Sequence, residues 1–418
     1  MADFLYGYNE EEDFGDLVSR CESALNRGSL SELKLNEEEF DFVINHYMNE
    51  DNGAVVYLLA EMAYYQHPYS SEMILRYVDI LIVNSEPEKA IKIIEQQLSR
   101  DPGNIDLLFL YGRASLKSGN HEVAKEYINK AVSLDSEEPA EMLLTAAQDY
   151  IDDGKFDHAV DYLNEARKYQ PQNNDILNDL GFCMERLDKF DESINYYEQF
   201  IEKDPFNDNV WFNLGTIYAR VKNIDKAVEA FDYAAALNPE NASVLYNKAI
   251  LYSNAENHEK AAATFKEFLK FEPDNPYALI AMCDAYLAMG NLDEAAETFL
   301  WILELDERNI DALTGLAYIY LVKKDFYSSL AYLRRIMKDE HVDCDYISYQ
   351  IFLAFQESKL PEFLVYYIVC LYRLDDIDNA VINIELLTFY DEVWIVKLHE
   401  IEPKILTDKR IIKFINKK

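Results

Sequence analysis

Histidine, cysteine and carboxylate side chains that lie close together could hold a metal or perform acid–base chemistry, and the chain offers few such groups. The segment KDEHVDCDY, residues 338–346, places His341 and Cys344 among several carboxylates. It lacks a second pair of ligands, so we interpret it as a loop and predict no metal site. His121-Glu122 and His258-Glu259 each lack the second histidine of an HExxH zinc motif.

The motifs of phosphate-binding and hydrolytic enzymes are absent as well. The sequence contains no GxxxxGK loop, no GxSxG elbow and no GxGxxG turn. Acid pairs such as Asp152-Asp153 and Asp375-Asp376 fall where turns are predicted, which is typical of solvated caps. We therefore expect a protein that is not an enzyme and that uses no cofactor.

Charge is the second informative property of the sequence. The chain has 39 basic and 77 acidic side chains, a formal net charge of −38, which would repel a phosphate backbone and disfavours nucleic acid as a partner. The acidity either keeps the protein in solution or favours basic partners, and both explanations stay open. Residues 1–16 contain six acids and no base, whereas residues 401–418 contain six bases and two acids.

Six of the eleven prolines follow a fixed period. This pattern indicates the structural elements that must position any binding residues. The six prolines are Pro68 and Pro102, 34 residues apart, and then Pro171, Pro205, Pro239 and Pro273, again at steps of 34. The gap of 69 between the two groups equals two periods and one inserted residue. Such a period indicates an array of repeats that stack on one another and present one extended surface.

The most regular repeat is DNVWFNLGTIYARVKNIDKAVEAFDYAAALNPEN, residues 208–241. Its apolar residues recur at helical spacing in two stretches, and the polar segment VKNID between them predicts a turn. Pro239 then ends the second helix because proline cannot continue it. Small residues at Gly215 and Ala227 predict close approach of the two helices, with large aromatic residues filling the remaining space.

This pattern resembles the tetratricopeptide repeat (TPR) family, in which each unit is a helix–turn–helix with small and aromatic residues at fixed positions. The resemblance implies an all-α, right-handed solenoid. Aligning the chain on its prolines gives an acidic N-terminal segment with a capping helix at 1–36, degenerate helical repeats with a basic capping helix at 344–418, and nine units between them: 37–70, 71–104, 105–139, 140–173, 174–207, 208–241, 242–275, 276–309 and 310–343.

The resemblance also implies a place for ligands, because in TPR proteins the first helix of each unit lines a concave groove. Carried over to this chain, the groove positions predict a surface for a peptide or protein segment. Its centre is expected at Phe212, Asn213, Arg220, Tyr246 and Asn247. The full set is Asn178, Phe182, Phe212, Asn213, Thr216, Arg220, Tyr246, Asn247, Ile250, Tyr277, Asp284 and Tyr318, with Ile280 and Thr314 beside them.

Two functions remain open for this architecture. In the first, the chain is a non-enzymatic scaffold that binds a protein or peptide in the groove, and the acidity of the chain leaves a basic partner open. In the second, it is an assembly or regulatory subunit that acts through its ends or self-association, and the groove residues only pack the helices. A co-chaperone that clamps a C-terminal carboxylate is disfavoured, because the second position of successive units holds no lysine: Asp106, Glu141, Asp175, Asn209, Ser243, Tyr277 and Asp311.

The remaining expectations concern location and the chain ends. The N-terminus lacks the basic and apolar regions of a secretory signal, and no stretch has the length of a membrane span, which favours the cytoplasm. Five scattered cysteines without a CxxC pair predict reduced thiols. The C-terminal segment KILTDKRIIKFINKK is expected to cap the last repeat, with a contact to an acidic neighbour as the alternative.

Overall fold

The computed structural model describes residues 10–135, 139–339 and 342–415, and every regular element in these ranges is helical. The chain divides into two compact units, Met1–Pro205 and Phe206–Lys418, called the first and second unit below. The fold is all-α, with helices paired as helix–turn–helix. None of the described helices is both long enough and apolar enough to cross a membrane.

The first unit contains eleven described α-helices, of which the last ten form five pairs. They are α1 (Glu10–Arg27), α2 (Glu37–Asn49), α3 (Gly53–Gln66), α4 (Ser71–Val83), α5 (Pro87–Leu98), α6 (Ile105–Lys117), α7 (His121–Leu134), α8 (Pro139–Asp152), α9 (Phe156–Tyr169), α10 (Asn174–Arg186) and α11 (Phe190–Lys203). In each pair the even-numbered helix comes first in sequence, and we call it the first helix.

The second unit continues the alternation through thirteen described α-helices. They are α12 (Asp208–Arg220), α13 (Ile224–Leu237), α14 (Ala242–Asn254), α15 (His258–Phe268), α16 (Pro276–Ala288), α17 (Leu292–Leu305), α18 (Ile310–Val322), α19 (Phe326–Ile336), α20 (Cys344–Ser358), α21 (Pro361–Arg373), α22 (Ile377–Leu387), α23 (Val393–Ile401) and α24 (Lys409–Ile415).

The backbone repeats the period of the prolines. In the turn between the two helices of each pair, one residue has a positive φ of 54–79°. Glycine adopts this conformation freely, whereas other residues need support from the surrounding turn. The step from Gly119 to Gly154 is 35 residues, which locates the inserted residue of the proline pattern, and the step from Lys324 to Lys359 is also 35. The series is Asp51, Ser85, Gly119, Gly154, Asp188, Lys222, Glu256, Gly290, Lys324 and Lys359.

Asparagine side chains fix the start of many helices. The Oδ1 atom of Asn207 accepts a hydrogen bond from the Val210 amide at 3.1 Å, and Asn309 accepts one from the Ala312 amide at 2.9 Å. These bonds satisfy amide groups that have no partner inside the helix, which makes asparagine a favoured N-cap.

Small residues let the two helices of a pair approach closely, but the closest neighbour is often an aromatic ring. A Cβ atom on Gly181 would lie 2.7 Å from the Tyr197 ring, and one on Gly215 would lie 2.7 Å from the Phe231 ring. Gly215 was expected to accommodate the backbone opposite Ala227; the nearest atoms are instead those of Phe231. Glycine is therefore required because a packed ring occupies the space of a side chain.

At both described ends of the chain, helical segments bury apolar side chains in the adjoining core. Leu17 and Cys21 of α1 are buried in the N-terminal core, and Ile405 and Ile411 are buried in the C-terminal core. Ile412 remains partly exposed. All five cysteines are buried free thiols.

Candidate functional site

A pocket of about 630 Å³ lies on the face formed by the first helices α16, α18 and α20 of the second unit. Asp284 and Ile280 come from α16, and Asp311, Thr314 and Tyr318 come from α18. Asp343, Tyr346, Ile347 and Gln350 line it from α20 and its cap. The pocket therefore takes side chains from three successive helix pairs, and we call it the acidic pocket.

The helices that line the acidic pocket carry no positive charge. The sequences of α16, α18 and α20 contain no lysine, arginine or histidine. In the part of the chain that the structure describes, the carboxylates of Asp284 and Asp311 form no ion pair. Asp343 is engaged, since its carboxylate caps α20 by accepting hydrogen bonds from the amides of Asp345 and Tyr346. Two carboxylates thus face the pocket without a countercharge.

The pKa of Asp284 reflects this environment. Desolvation by the surrounding helices raises the pKa above its ordinary value of 3.8, and the negative charge of Asp311 raises it further. The side chain nevertheless keeps an exposed surface in the pocket. A cation placed beside Asp284 would relieve both effects, because it would stabilise the ionised carboxylate.

Exposed tyrosines surround these carboxylates. Tyr346 is 65% exposed, and Tyr349 and Leu353 continue the same face of α20 at 67% and 47%. Tyr318 of α18 is 37% exposed. Aromatic side chains that stay in solvent on one helical face are typical of protein interfaces, because they can bury large area on binding.

A smaller depression of about 220 Å³ lies nearby in sequence, at α14 and the start of α16. It brings together Tyr246, Asn247 and Tyr277, which were all predicted from the groove positions. Asn247 donates a hydrogen bond from Nδ2 to the Ser243 carbonyl at 2.9 Å, so part of its capacity is used within its own helix. Tyr246 packs against Phe268, with ring centroids 5.2 Å apart.

The other predicted residues of the second unit lie mostly in packing contacts. The ring of Phe212 lies 6.0 Å from that of Phe231, and Thr216 donates a hydrogen bond to the Phe212 carbonyl at 3.0 Å. Asn213 and Ile250 are half-buried, and Arg220 is exposed at the end of α12.

Asn178 and Phe182 lie on α10 of the first unit. Asn178 donates a hydrogen bond to the neighbouring carboxylate of Asp179 at 3.4 Å, and the Phe182 ring stands edge-on to Phe156 at 5.9 Å.

Sequence reasoning missed the α20 side of the acidic pocket. The repeat register was lost after residue 343, so Tyr346 and Gln350 received no groove position. The spacing of Tyr346, Tyr349 and Leu353 after the N-cap residue Asp343 is the signal that could have found them.

The first helices of the first unit handle charge differently. Arg113 of α6 donates from Nε to Asp149 of α8 at 2.6 Å and also pairs with Asp79 of α4. Burial opposes the charge of Arg113, but the hydrogen bonds that Arg113 donates to Asp149 and Asp79, together with their negative charges, outweigh it and raise the pKa of the guanidinium. Arg76 of α4 pairs with Asp41 of α2 at 2.7 Å in the same way.

No metal site emerges from the described residues, in which no group of three or more histidine, cysteine, aspartate or glutamate side chains could hold an ion. Cys344 begins α20 and is buried, whereas His341 lies outside the described residues.

Comparison with protein families identifies the fold class. Residues 81–147 match the tetratricopeptide repeat model, and residues 141–317 match the model described as the N-terminal TPR repeats region of Psidin. No curated protein matches the chain.

Several solved structures are similar at low identity. The C-terminal part of a TPR repeat-containing protein from Cytophaga hutchinsonii is 18% identical, with a TM-score of 0.48, and the match covers 58% of this chain and 99% of that one. A tetratricopeptide repeat protein from Parabacteroides merdae is 20% identical, with a TM-score of 0.40 and coverages of 63% and 98%. YrrB, described as a TPR protein with an unusual peptide-binding site, is 20% identical, with a TM-score of 0.34 and coverages of 45% and 97%.

These observations define an α-helical repeat protein built of helix–turn–helix pairs. The two family models together extend from residue 81 to residue 317. The helix pairs recur at the period of the prolines. The chain is a tetratricopeptide repeat protein, and proteins of this family generally mediate protein–protein interactions.

Proposed function

We propose that this TPR protein is a non-enzymatic scaffold that binds a lysine- or arginine-containing protein segment on the face formed by α16, α18 and α20. The observation that carries the proposal is a pocket with two carboxylates that lack a countercharge, Asp284 and Asp311, on helices without a basic residue. The partner supplies the missing cation.

Both the aliphatic stem and the charged group of a lysine or arginine side chain match the lining of the acidic pocket. Its aliphatic stem would lie against Ile280 and Ile347, while its charged group would lie between Asp284 and Asp311. The exposed rings of Tyr318 and Tyr346 can attract the same cation through their π faces. Flanking apolar residues of the partner would bury Tyr349 and Leu353.

The smaller depression extends this surface toward α14. Tyr246, Asn247 and Tyr277 would contact a neighbouring part of the same segment, and the Oδ1 atom of Asn247 would accept a hydrogen bond from its backbone. The charge of −38 would also speed the encounter with a basic partner, most strongly at low salt. Self-association is the alternative mode of action, and it is favoured by a cleft of the second unit that is lined by Arg334, Lys338 and Lys404.

Peptide pools test the proposal without knowledge of the natural partner. Positional-scanning pools of short synthetic peptides, with one position fixed as lysine, glutamine or glutamate, are titrated into the full chain and followed by fluorescence anisotropy. We expect the lysine pools to bind most tightly and the glutamate pools least tightly.

Two variants with the same change in net charge assign this binding to the acidic pocket. Asp284→Asn/Asp311→Asn should weaken lysine-pool binding roughly tenfold, which corresponds to about 1.4 kcal/mol. Glu297→Gln/Glu304→Gln, on the exposed face of the second helix α17, should leave it unchanged. Equal loss in both variants would assign the effect to net charge, and no preference for lysine would refute the proposal.

A further inference from the structure

A second cleft, of about 660 Å³, lies near the C-terminus of the second unit and has the opposite charge. Arg334 and Lys338 line it from the end of α19, Arg373 from the end of α21, Lys397 from α23, and Lys404 from the segment that follows. Five basic side chains thus converge on one cleft in a chain that has only 39 in total. We call it the basic cleft.

A buried carboxylate holds two of these bases in place. Glu362 of α21 is 5% exposed and accepts hydrogen bonds from Arg334 Nε at 2.8 Å, Lys397 Nζ at 2.7 Å and the Tyr366 hydroxyl at 3.0 Å. Burial alone would raise the pKa of Glu362, but the hydrogen bonds from Arg334 and Lys397 outweigh it and lower the pKa to about 2. Two cations therefore share one carboxylate, which leaves a positive excess.

The other bases add to that excess. Arg373 is balanced, since its Nε donates to Glu402 at 3.2 Å. Lys338 and Lys404 are exposed, and neither forms an ion pair within the described ranges. Glu400 is the remaining acid in the lining, so the positive side chains outnumber the acids.

The wall of the basic cleft is not purely polar. Met337 and Tyr366 are buried beneath it, and Ile401 is half-buried at its edge. Ile401 and the exposed Pro403 are therefore the apolar side chains that a ligand can cover, and a small inorganic anion would leave them uncovered. A peptide that combines carboxylates with apolar or aromatic side chains would use both parts of the lining.

We propose that the basic cleft binds the acidic N-terminal segment, residues 1–16, of a second copy of this chain. The segment MADFLYGYNEEEDFGD has six acids and no basic side chain, and it adds aromatic residues at Phe4, Tyr6, Tyr8 and Phe14. It therefore offers the two chemistries that the cleft can receive. A second copy can bring this segment to the cleft whatever the arrangement of the two units within one copy.

The large negative charge of both copies does not forbid this contact. At physiological ionic strength, charges farther apart than about 8 Å are largely screened, so the local pairing of lysine with glutamate decides the interaction. Because of this screening, a change of net charge far from the basic cleft should have little effect on association. A variant with the same change of net charge at another position tests this.

Sedimentation equilibrium of the full chain tests the proposal through charge exchange. We expect a concentration-dependent dimer whose association constant falls roughly tenfold in Lys338→Glu/Lys404→Glu, because two attractive contacts become repulsive. Glu11→Lys/Glu12→Lys should cause a similar loss. Combining the two pairs should restore association, since opposite charges then face each other again.

A matched control separates the basic cleft from the rest of the basic C-terminal region. Lys409→Glu/Lys413→Glu changes the net charge equally on α24, outside the cleft lining, and should leave the association constant unchanged. A synthetic peptide of residues 1–16 should dissociate the dimer, and its counterpart with glutamine in place of glutamate should not.

Three results would overturn the proposal. The first is a chain that stays monomeric at every accessible concentration. The second is a dimer that responds equally to the cleft variant and to the control. The third is the absence of rescue when the two charge reversals are combined, because a direct contact between the segment and the cleft requires it.

Discussion

In the first unit, the face formed by α4, α6 and α8 carries Arg113 together with the carboxylates that neutralise it, Asp79 and Asp149. In the second unit, the face formed by α16, α18 and α20 carries Asp284 and Asp311 with no base on the same helices. Both faces are built from first helices of the same repeat. The difference shows that the same repeat fold can carry a face with internal ion pairs or a face whose carboxylates have no countercharge on their own helices.

The largest expected effect comes from opening the paired face. Arg113→Met removes the cation between two carboxylates, one of which, Asp149, is 7% exposed. We expect a loss of about 3–5 kcal/mol in the free energy of unfolding, because a buried charge is left without its partner. Denaturant unfolding followed by circular dichroism measures it.

The control for this variant is Arg100→Met, at an exposed position where the structure shows no ion pair. Its effect should stay within about 0.5 kcal/mol. If Arg113→Met were as mild as the control, the first-unit face would not depend on its ion pairs and the comparison would fail.

The second-largest expected effect concerns the packing beneath the two faces. It tests whether both units pack a glycine against an aromatic ring in the same way. Gly181→Ala in the first unit and Gly215→Ala in the second each place a Cβ atom 2.7 Å from a packed ring. Each should cost about 1–3 kcal/mol, since the ring has to move in a close-packed core. Thermal unfolding of both variants measures the two costs.

Gly53→Ala is the matched control, because a Cβ atom there meets nothing within 4 Å. It should be neutral or slightly stabilising. A large cost at Gly181 with none at Gly215 would mean that the units differ in their packing as well as in their surface charge.

The smallest effect concerns the open face and has the opposite sign. The raised pKa of Asp284 means that the folded chain holds its proton more tightly than the unfolded chain does. Stability therefore falls as pH rises from the unfolded pKa, near 3.8, through the higher folded pKa. Asp284→Asn removes this loss.

We expect Asp284→Asn to stabilise the chain at neutral pH by about 0.5 kcal/mol or less, because the side chain is exposed and water screens its charge. The gain should vanish below the unfolded pKa, where aspartate and asparagine are both uncharged. Unfolding curves of both proteins at acidic and neutral pH measure the difference. A variant less stable than wild type at neutral pH would show that the Asp284 carboxylate already has a favourable partner.

The sequence predicts the repeated helix pairs well because each 34-residue repeat is defined by local signals. Pro205, Pro239 and Pro273 end repeats at a fixed period, and the apolar residues between them recur at helical spacing. Side-chain partners across pairs are harder to predict. Nothing in the sequence indicates that Arg113 bridges residues 34 and 36 positions away, since that depends on the approach of three helices.

The predicted groove residues show the same limit. Asp284 and Tyr318 come together in the acidic pocket, whereas Phe212 is half-buried against Phe231. A position on the first helix specifies the side of the helix, but the size of neighbouring side chains decides whether a residue stays accessible. Tyr346 escaped prediction because the register after residue 343 could not be followed by composition alone.

The titration of Asp284 tests most directly whether the face formed by α16, α18 and α20 binds a cation. Selective ¹³C labelling of aspartate in the full chain, with Asp284→Asn for assignment, gives the pKa of this carboxyl by NMR. We predict a pKa above 3.8 in the free chain and a lower pKa when the tightest-binding lysine pool is added. An ordinary pKa in the free chain, or a raised pKa that the lysine pool does not lower, would contradict the account.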